Sequence, residues 1–120
     1  MKLVSTRNSN ITVSFKHAIF DCMPADGGLY VPYSEHDLRS WILHMNEQTT
    51  FSTIAGSLTA ALLKEEISPV ISERIAAAAF QGYSPRLRQL DDRLFLLELF
   101  HGPTGNHRDF GFLWLASALE

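Results

Sequence analysis

LFLLELFHGPTGNHRDFG, residues Leu94–Gly111, places an apolar run, a short loop and the first turn of a helix in succession. The density of apolar residues in Leu94–Phe100 predicts a strand that is buried on both faces. Two glycines and a proline in His101–Gly105 predict a loop. Asn106 is a favoured N-cap residue and Asp109 follows three positions later, so a helix is predicted to begin at about Asn106. This succession directs free backbone N–H groups at one place, which suits an anion.

The composition is that of a globular protein and argues against several kinds of partner. The chain has 120 residues, of which 46% are hydrophobic and 19% charged, and this length suits one compact unit. The formal net charge of −3 argues against a nucleic-acid partner, which requires a basic surface. No apolar run approaches the roughly 20 residues of a membrane span, and the N-terminal stretch is too polar for a signal peptide. We therefore expect a cytoplasmic protein with no membrane partner.

Short apolar segments separated by turn residues predict an α+β fold, in which helices surround a small sheet and one strand–loop–helix unit follows. The helix starts rest on N-cap residues. The predicted elements are a strand at Lys2–Ser5, a helix at Val13–Cys22 capped by Ser14, a strand at Leu29–Val31, a helix capped by Ser34, a helix from Thr49 or Thr50, a helix from Ser68, and a hairpin of Leu87–Leu90 with Leu94–Phe100.

Two apolar features predict how the helices pack. Cys22 closes the apolar stripe of the first helix and is predicted to be a buried small hydrophobe. The small side chains of IAAAAF, Ile75–Phe80, predict close packing against another helix.

The segment ELFHGPTGNHRDFG resembles the ELFHGPT-x-x-x-K-D-F-G signature of threonine synthase, a pyridoxal-phosphate (PLP) enzyme of fold type II. The matching positions are Glu98–Thr104 and Asp109–Gly111. The family's lysine forms a Schiff base with PLP, and this sequence has Arg108 at that position, after His107 in place of the usual aromatic residue. A Schiff base needs a neutral primary amine, whereas a guanidinium, with a pKa of about 12 or higher, stays protonated. The resemblance therefore implies a PLP site, and Arg108 predicts that PLP is not bound covalently.

The N-terminal part carries a second resemblance, to the pattern STR…VSF-x-x-A…APDGGL-[YF]-VP of the threonine synthase N-terminal domain. The matching positions are Ser5–Arg7, Val13–Phe15, Ala18, Pro24 and Asp26–Pro32. The two motifs in this order imply a threonine synthase-like N-terminal domain over residues 1–84 and the start of a PLP-dependent catalytic domain over residues 85–120. Because the family's catalytic fold is a much longer chain, we expect either a truncated fragment or a short stand-alone relative.

Four residues lie on the cofactor or substrate side of the site by resemblance: His101, Thr104, Arg108 and Asp109. His101 and Thr104 suit a role in shaping the loop equally well. A cation at a helix N-terminus is disfavoured by up to about 1 kcal/mol, which would suit an anion partner for Arg108, although a solvated arginine is the favoured interpretation. Asp26, before two glycines, favours a turn over a catalytic carboxylate. No histidine pair has the H-x-x-x-H spacing, so no metal site is predicted.

Two functions are compatible with these residues. In the first, the chain is a threonine synthase-like protein or fragment. The family serves threonine biosynthesis as a PLP-dependent lyase that converts O-phospho-L-homoserine and water to L-threonine and phosphate, and Arg108 predicts no activity for this chain. The alternative is a non-catalytic module that binds a partner chain or a phosphate-containing metabolite. Leu94–Phe100 predicts self-association, by edge pairing or exchange of the last helix, or docking to a catalytic segment.

Overall fold

A three-stranded antiparallel sheet opens the fold in the computed structural model, which describes residues 1–120. Its strands are β1 (Lys2–Ser5), β2 (Thr12–Ser14) and β3 (Tyr30–Pro32), in the order β2-β1-β3. Leu3 and Val4 of the central strand are buried. Helix α1 (Phe15–Asp21) follows β2, and the predicted cap is confirmed, because the Ser14 hydroxyl accepts from the His17 N–H at 3.1 Å.

Three further helices follow: α2 (Arg39–Leu43), α3 (Phe51–Leu63) and α4 (Pro69–Ala79). The caps predicted at Thr50 and Ser68 are confirmed, since each side chain accepts from a backbone N–H three residues on. The backbones of α3 and α4 approach closely, because a Cβ at Gly56 would lie 2.9 Å from the Glu73 Cα. Ala76, Ala79 and Phe80 form the buried core, which confirms the close packing predicted for Ile75–Phe80.

The last third of the chain is a hairpin followed by a helix. Strands β4 (Arg86–Asp91) and β5 (Leu94–Glu98) form a separate two-stranded antiparallel sheet, and α5 spans Asp109–Leu119. Helix α5 is anchored on the core by Phe110, Leu113 and Trp114, and the Trp114 Nε1–H donates to the Thr59 hydroxyl at 3.1 Å. The loop between β5 and α5 therefore joins an exposed hairpin to a helix that is packed on the core. None of the helices combines the length and apolar character needed to cross a bilayer.

The α+β architecture is as predicted, but the burial predicted for Leu94–Phe100 is wrong. Phe95, Leu96 and Leu97 are 53%, 45% and 54% exposed, and only Glu98 in this strand is buried. The reason is that β5 has β4 as its only neighbour, so neither its outer edge nor its faces are covered by another layer. An apolar run indicates a preference for burial, and the structure of this chain alone does not meet that preference.

Three local predictions are also wrong. Helix α5 begins at Asp109 rather than Asn106, because the Asn106 side chain forms a turn in which its Oδ1 accepts from the Arg108 N–H at 3.0 Å. The helix predicted after Ser34 begins at Arg39 and has no side-chain cap. Cys22 is exposed, since it forms the C-cap of α1 with a φ of 62° and lies beyond the packed face.

Candidate functional site

The loop between β5 and α5 is closed by the carboxylate of Asp109, a residue only 6% exposed. Its Oδ1 accepts from the Thr104 hydroxyl at 2.6 Å, and its Oδ2 accepts from the backbone N–H groups of Thr104 at 2.8 Å and Asn106 at 3.4 Å. The hydroxyl of Thr104 contributes most to a lowered pKa of Asp109, and these N–H donors add to it against the opposing effect of burial. The N–H groups that the sequence predicts to suit an anion are thus bound by an anion of the chain itself.

Two glycines make this closed loop possible. A Cβ at Gly102 would lie 2.5 Å from both the Cβ and the Oδ2 of Asp109, so only glycine lets the chain pass so close to that side chain. Gly105 has a φ of 73°, in the left-handed region that L side chains rarely adopt. The loop conformation and the position of Asp109 therefore depend on each other.

A second carboxylate, Glu98, lies at the end of β5 and is 8% exposed. His101 Nε2 lies 3.1 Å from its Oε2, and the Arg88 Nη1 donates to its Oε1 at 3.3 Å. The contact with His101 is the main cause of the lowered pKa of Glu98, and Arg88 lowers it further while burial opposes both. Glu98 thereby fixes the position of His101, whose ring also packs on Phe100 with a centroid distance of 4.6 Å.

Arg108 lies at the N-cap position of α5 and is exposed. Its backbone N–H is bonded to Asn106, but its guanidinium takes part in none of the ion pairs or side-chain hydrogen bonds of the chain. The side chain therefore extends from the loop as an uncompensated positive charge. The choice between a solvated arginine and an arginine with an anion partner stays a prediction.

The structure brings the four residues identified by resemblance into one loop, but in two separate contacts. Thr104 and Asp109 bond to each other, His101 bonds to Glu98, and Arg108 bonds to neither carboxylate. Sequence reasoning assigned no role to Glu98. The available signal was a single carboxylate at the end of an apolar strand, with a histidine three positions later.

A further polar cluster lies at the turn before β3. The carboxylate of Asp26 accepts from the Ser5 hydroxyl at 2.7 Å and from the Gly28 N–H at 2.9 Å, and both contacts lower its pKa. Gly27 has a φ of 72° at this turn. These contacts support the turn interpretation of Asp26. No group of three or more histidine, cysteine, aspartate or glutamate residues is arranged to hold a metal ion.

Comparison with known families assigns the N-terminal two-thirds of the chain. A family model described as threonine synthase N terminus matches residues 2–80. The chain belongs to the threonine synthase N-terminal family. The family resemblance and the fold class predicted from the sequence are thereby confirmed.

Complete threonine synthases extend the match over the whole chain. The enzyme of Serratia marcescens is 35% identical over 121 residues, which cover 99% of this chain and 28% of that protein. The X-ray structure of PLP-bound threonine synthase from Brucella melitensis superimposes with a TM-score of 0.82 and 30% identity over 99% of this chain and 26% of that one. The Escherichia coli structure gives a TM-score of 0.81 and 30% identity over 99% of this chain and 28% of that one. The chain thus spans about a quarter of the length of these threonine synthases.

Proposed function

We propose that this chain is a non-catalytic member of the threonine synthase family. The family reaction converts O-phospho-L-homoserine and water to L-threonine and phosphate, and its PLP is captured by a primary amine. At the family's lysine position the chain has Arg108, whose guanidinium stays protonated at any usable pH. This substitution is the single observation on which the proposal rests.

The other groups of the β5–α5 loop do not fit PLP either. The N–H groups of Thr104 and Asn106, which would suit a phosphate, already bond the Asp109 carboxylate. A second anion at the same donors would be repelled by that carboxylate. The lysines of the chain are Lys2, Lys16 and Lys64, and none of them lies in this loop. We therefore assign no chemical step to PLP in this chain.

Release of phosphate from O-phospho-L-homoserine tests the proposal directly. The unmodified chain, incubated with PLP and substrate, should release phosphate no faster than a blank with PLP and substrate alone. Arg108→Lys restores the amine and shows whether any activity depends on this position. Turnover by the unmodified chain would refute the proposal.

A second candidate function, binding of a partner chain, is favoured by the apolar side chains of the hairpin. Leu87 pairs with Leu97 and Gln89 pairs with Phe95, so these four side chains share one face of the hairpin. Leu87, Phe95 and Leu97 are 66%, 53% and 54% exposed. An exposed apolar face next to free strand edges is typical of a surface that associates with another polypeptide. Self-association, or docking to a catalytic segment of the threonine synthase type, would cover it.

Light scattering over a concentration series distinguishes these forms of association. We expect the mean mass to rise with concentration and the rise to be reduced by Leu97→Glu. Leu43→Glu is the matched control, because Leu43 is 83% exposed but lies on α2, away from the hairpin. A strictly monomeric chain at high concentration would contradict self-association.

The other form of the non-catalytic alternative is a module that binds a phosphate-containing metabolite, and we expect this chain not to bind one. Since Asp109 holds the loop donors, millimolar phosphate or PLP should leave the unfolding temperature unchanged. A concentration-dependent rise in Tm with phosphate would support a phosphometabolite ligand instead.

A further inference from the structure

The outer edge of β4 carries two charged side chains that have no counterion within the chain. Arg86 and Asp91 lie at opposite ends of the strand, both are exposed, and neither takes part in an ion pair. The β4 backbone makes no backbone hydrogen bond outside the hairpin, and among its carbonyls only Asp91 accepts a side-chain hydrogen bond, from Gln89 at 3.2 Å. This edge therefore offers free hydrogen-bonding groups between one positive and one negative end.

A β-bulge decides on which face of the hairpin the Arg86 and Asp91 side chains lie. Arg86 pairs with Glu98, Arg88 with Leu96 and Asp91 with Leu94, while the register shifts between Gln89 and Asp91. Paired residues of antiparallel strands face the same side, and alternate residues of β5 face one side. Arg86, Arg88 and Asp91 therefore share one face. In a regular strand, with Leu90 paired like its neighbours, Asp91 would face the opposite side from the arginines.

We propose that β4 pairs antiparallel with β4 of a second copy of this chain, with Arg86 of each copy opposite Asp91 of the other. The inference rests on the self-association proposed above, but it places the contact at the β4 edge rather than on the apolar face of Leu87, Phe95 and Leu97. A two-fold axis through Arg88 then produces two identical Arg86–Asp91 pairs and a continuous four-stranded sheet. The two Arg88 side chains meet at the axis, and the charge of each is balanced by its own Glu98 at 3.3 Å.

Charge selects this register over its neighbours. A shift of two strand positions in one direction places Arg86 opposite Arg88 of the second copy, so neither Arg86–Asp91 pair forms. The same shift in the other direction leaves Arg86 beyond the end of the pairing strand. A shift of one position would place the Arg86 side chain of one copy and the Asp91 side chain of the other on opposite faces of the sheet. Of the possible registers, the Arg86–Asp91 register therefore combines the longest paired stretch with opposite charges at the paired positions.

Charge reversal at the two positions, alone and together, tests the pairing. Arg86→Asp and Asp91→Arg each convert both ion pairs into like-charge pairs, and each should raise the dimer Kd about tenfold at low salt, which corresponds to about 1.4 kcal/mol. The double variant restores opposite charges and should return the Kd to within about twofold of the unmodified chain. Arg93→Asp is the control, because it changes the net charge as Arg86→Asp does but lies in the hairpin turn.

Sedimentation equilibrium gives the Kd, and circular dichroism checks that every variant is folded. Recovery in the double variant, with no effect of Arg93→Asp, would support the pairing. If the chain dimerises but the double variant stays as weak as the single ones, the β4 pairing is refuted while self-association stands. If the unmodified chain is monomeric at all concentrations, both proposals fail.

Discussion

Replacing Gly102 by alanine tests the closed loop on which the site depends. A methyl group at this position would lie 2.5 Å from the Asp109 Cβ and Oδ2 and 2.9 Å from its Cγ. Carbon atoms in contact prefer about 3.5–4.0 Å, so the overlap is about 1 Å. Either the loop or the Asp109 side chain must move, and with it the bonds to Thr104 at 2.6 and 2.8 Å.

The expected cost of Gly102→Ala is about 1–3 kcal/mol of unfolding free energy, the range for inserting a methyl group where there is no space. Gly111→Ala is the matched control. Gly111 lies in α5 with nothing within 4 Å of its Cβ position, so the same added methyl group meets no atom. Alanine is favoured over glycine within a helix by up to about 1 kcal/mol, so this variant should be more stable.

Urea denaturation followed by tryptophan fluorescence measures both variants, since Trp114 reports on α5, where it bonds Thr59. The urea midpoint should fall for Gly102→Ala and rise for Gly111→Ala. An unchanged midpoint for Gly102→Ala would refute the closed loop. Equal destabilisation by both variants would show that the cost of the added methyl group at Gly102 does not come from its contact with Asp109.

Three further predictions concern the core, a cap and pH. Phe80→Ala should cost about 3–5 kcal/mol by calorimetry, because Phe80 is 8% exposed and its ring packs on Phe51 at 4.8 Å; an effect below 1 kcal/mol would contradict this core. Ser68→Ala removes the N-cap of α4 and should cost about 1 kcal/mol in urea, while Ser68→Gly should cost less. The pKa of Asp109 is lowered in the folded state, so the stability that it contributes is present above its unfolded pKa, about 3.9, and is lost as the pH falls through the folded value. Unfolding midpoints measured between pH 3 and 6 should therefore fall towards acid, and less steeply in Asp109→Asn.

Local chemistry made part of this fold predictable. The caps at Ser14, Thr50 and Ser68 depend on a side chain and a backbone N–H three residues apart, so the sequence alone identifies them. The hairpin was predictable from two aspartates, which favour a turn, between two segments that contain leucines, although the turn lies at Asp92–Arg93 and so one residue later than predicted. Small side chains in Ile75–Phe80 correctly predicted a close helix contact.

The remaining features depend on contacts that the local pattern does not encode. Asn106 is an N-cap residue by type, but its side chain forms a turn with the Arg108 N–H, and α5 begins three residues later, at Asp109. The burial of Leu94–Phe100 depends on what lies against the hairpin, which an apolar run does not specify. The role of Glu98 arises from Arg88 on the neighbouring strand, a pairing that only the register reveals.

Borohydride reduction in the presence of PLP, followed by peptide mass mapping, tests the central claim most directly. Arg108→Lys is the comparison variant, because its amine is the group that PLP requires, and an adduct at residue 108 in this variant alone would show that Arg108 is what prevents covalent capture. The unmodified chain should retain no stoichiometric PLP after dialysis and reduction, either at residue 108 or at Lys2, Lys16 or Lys64. One pyridoxyl group per unmodified chain at any of these positions would contradict the account.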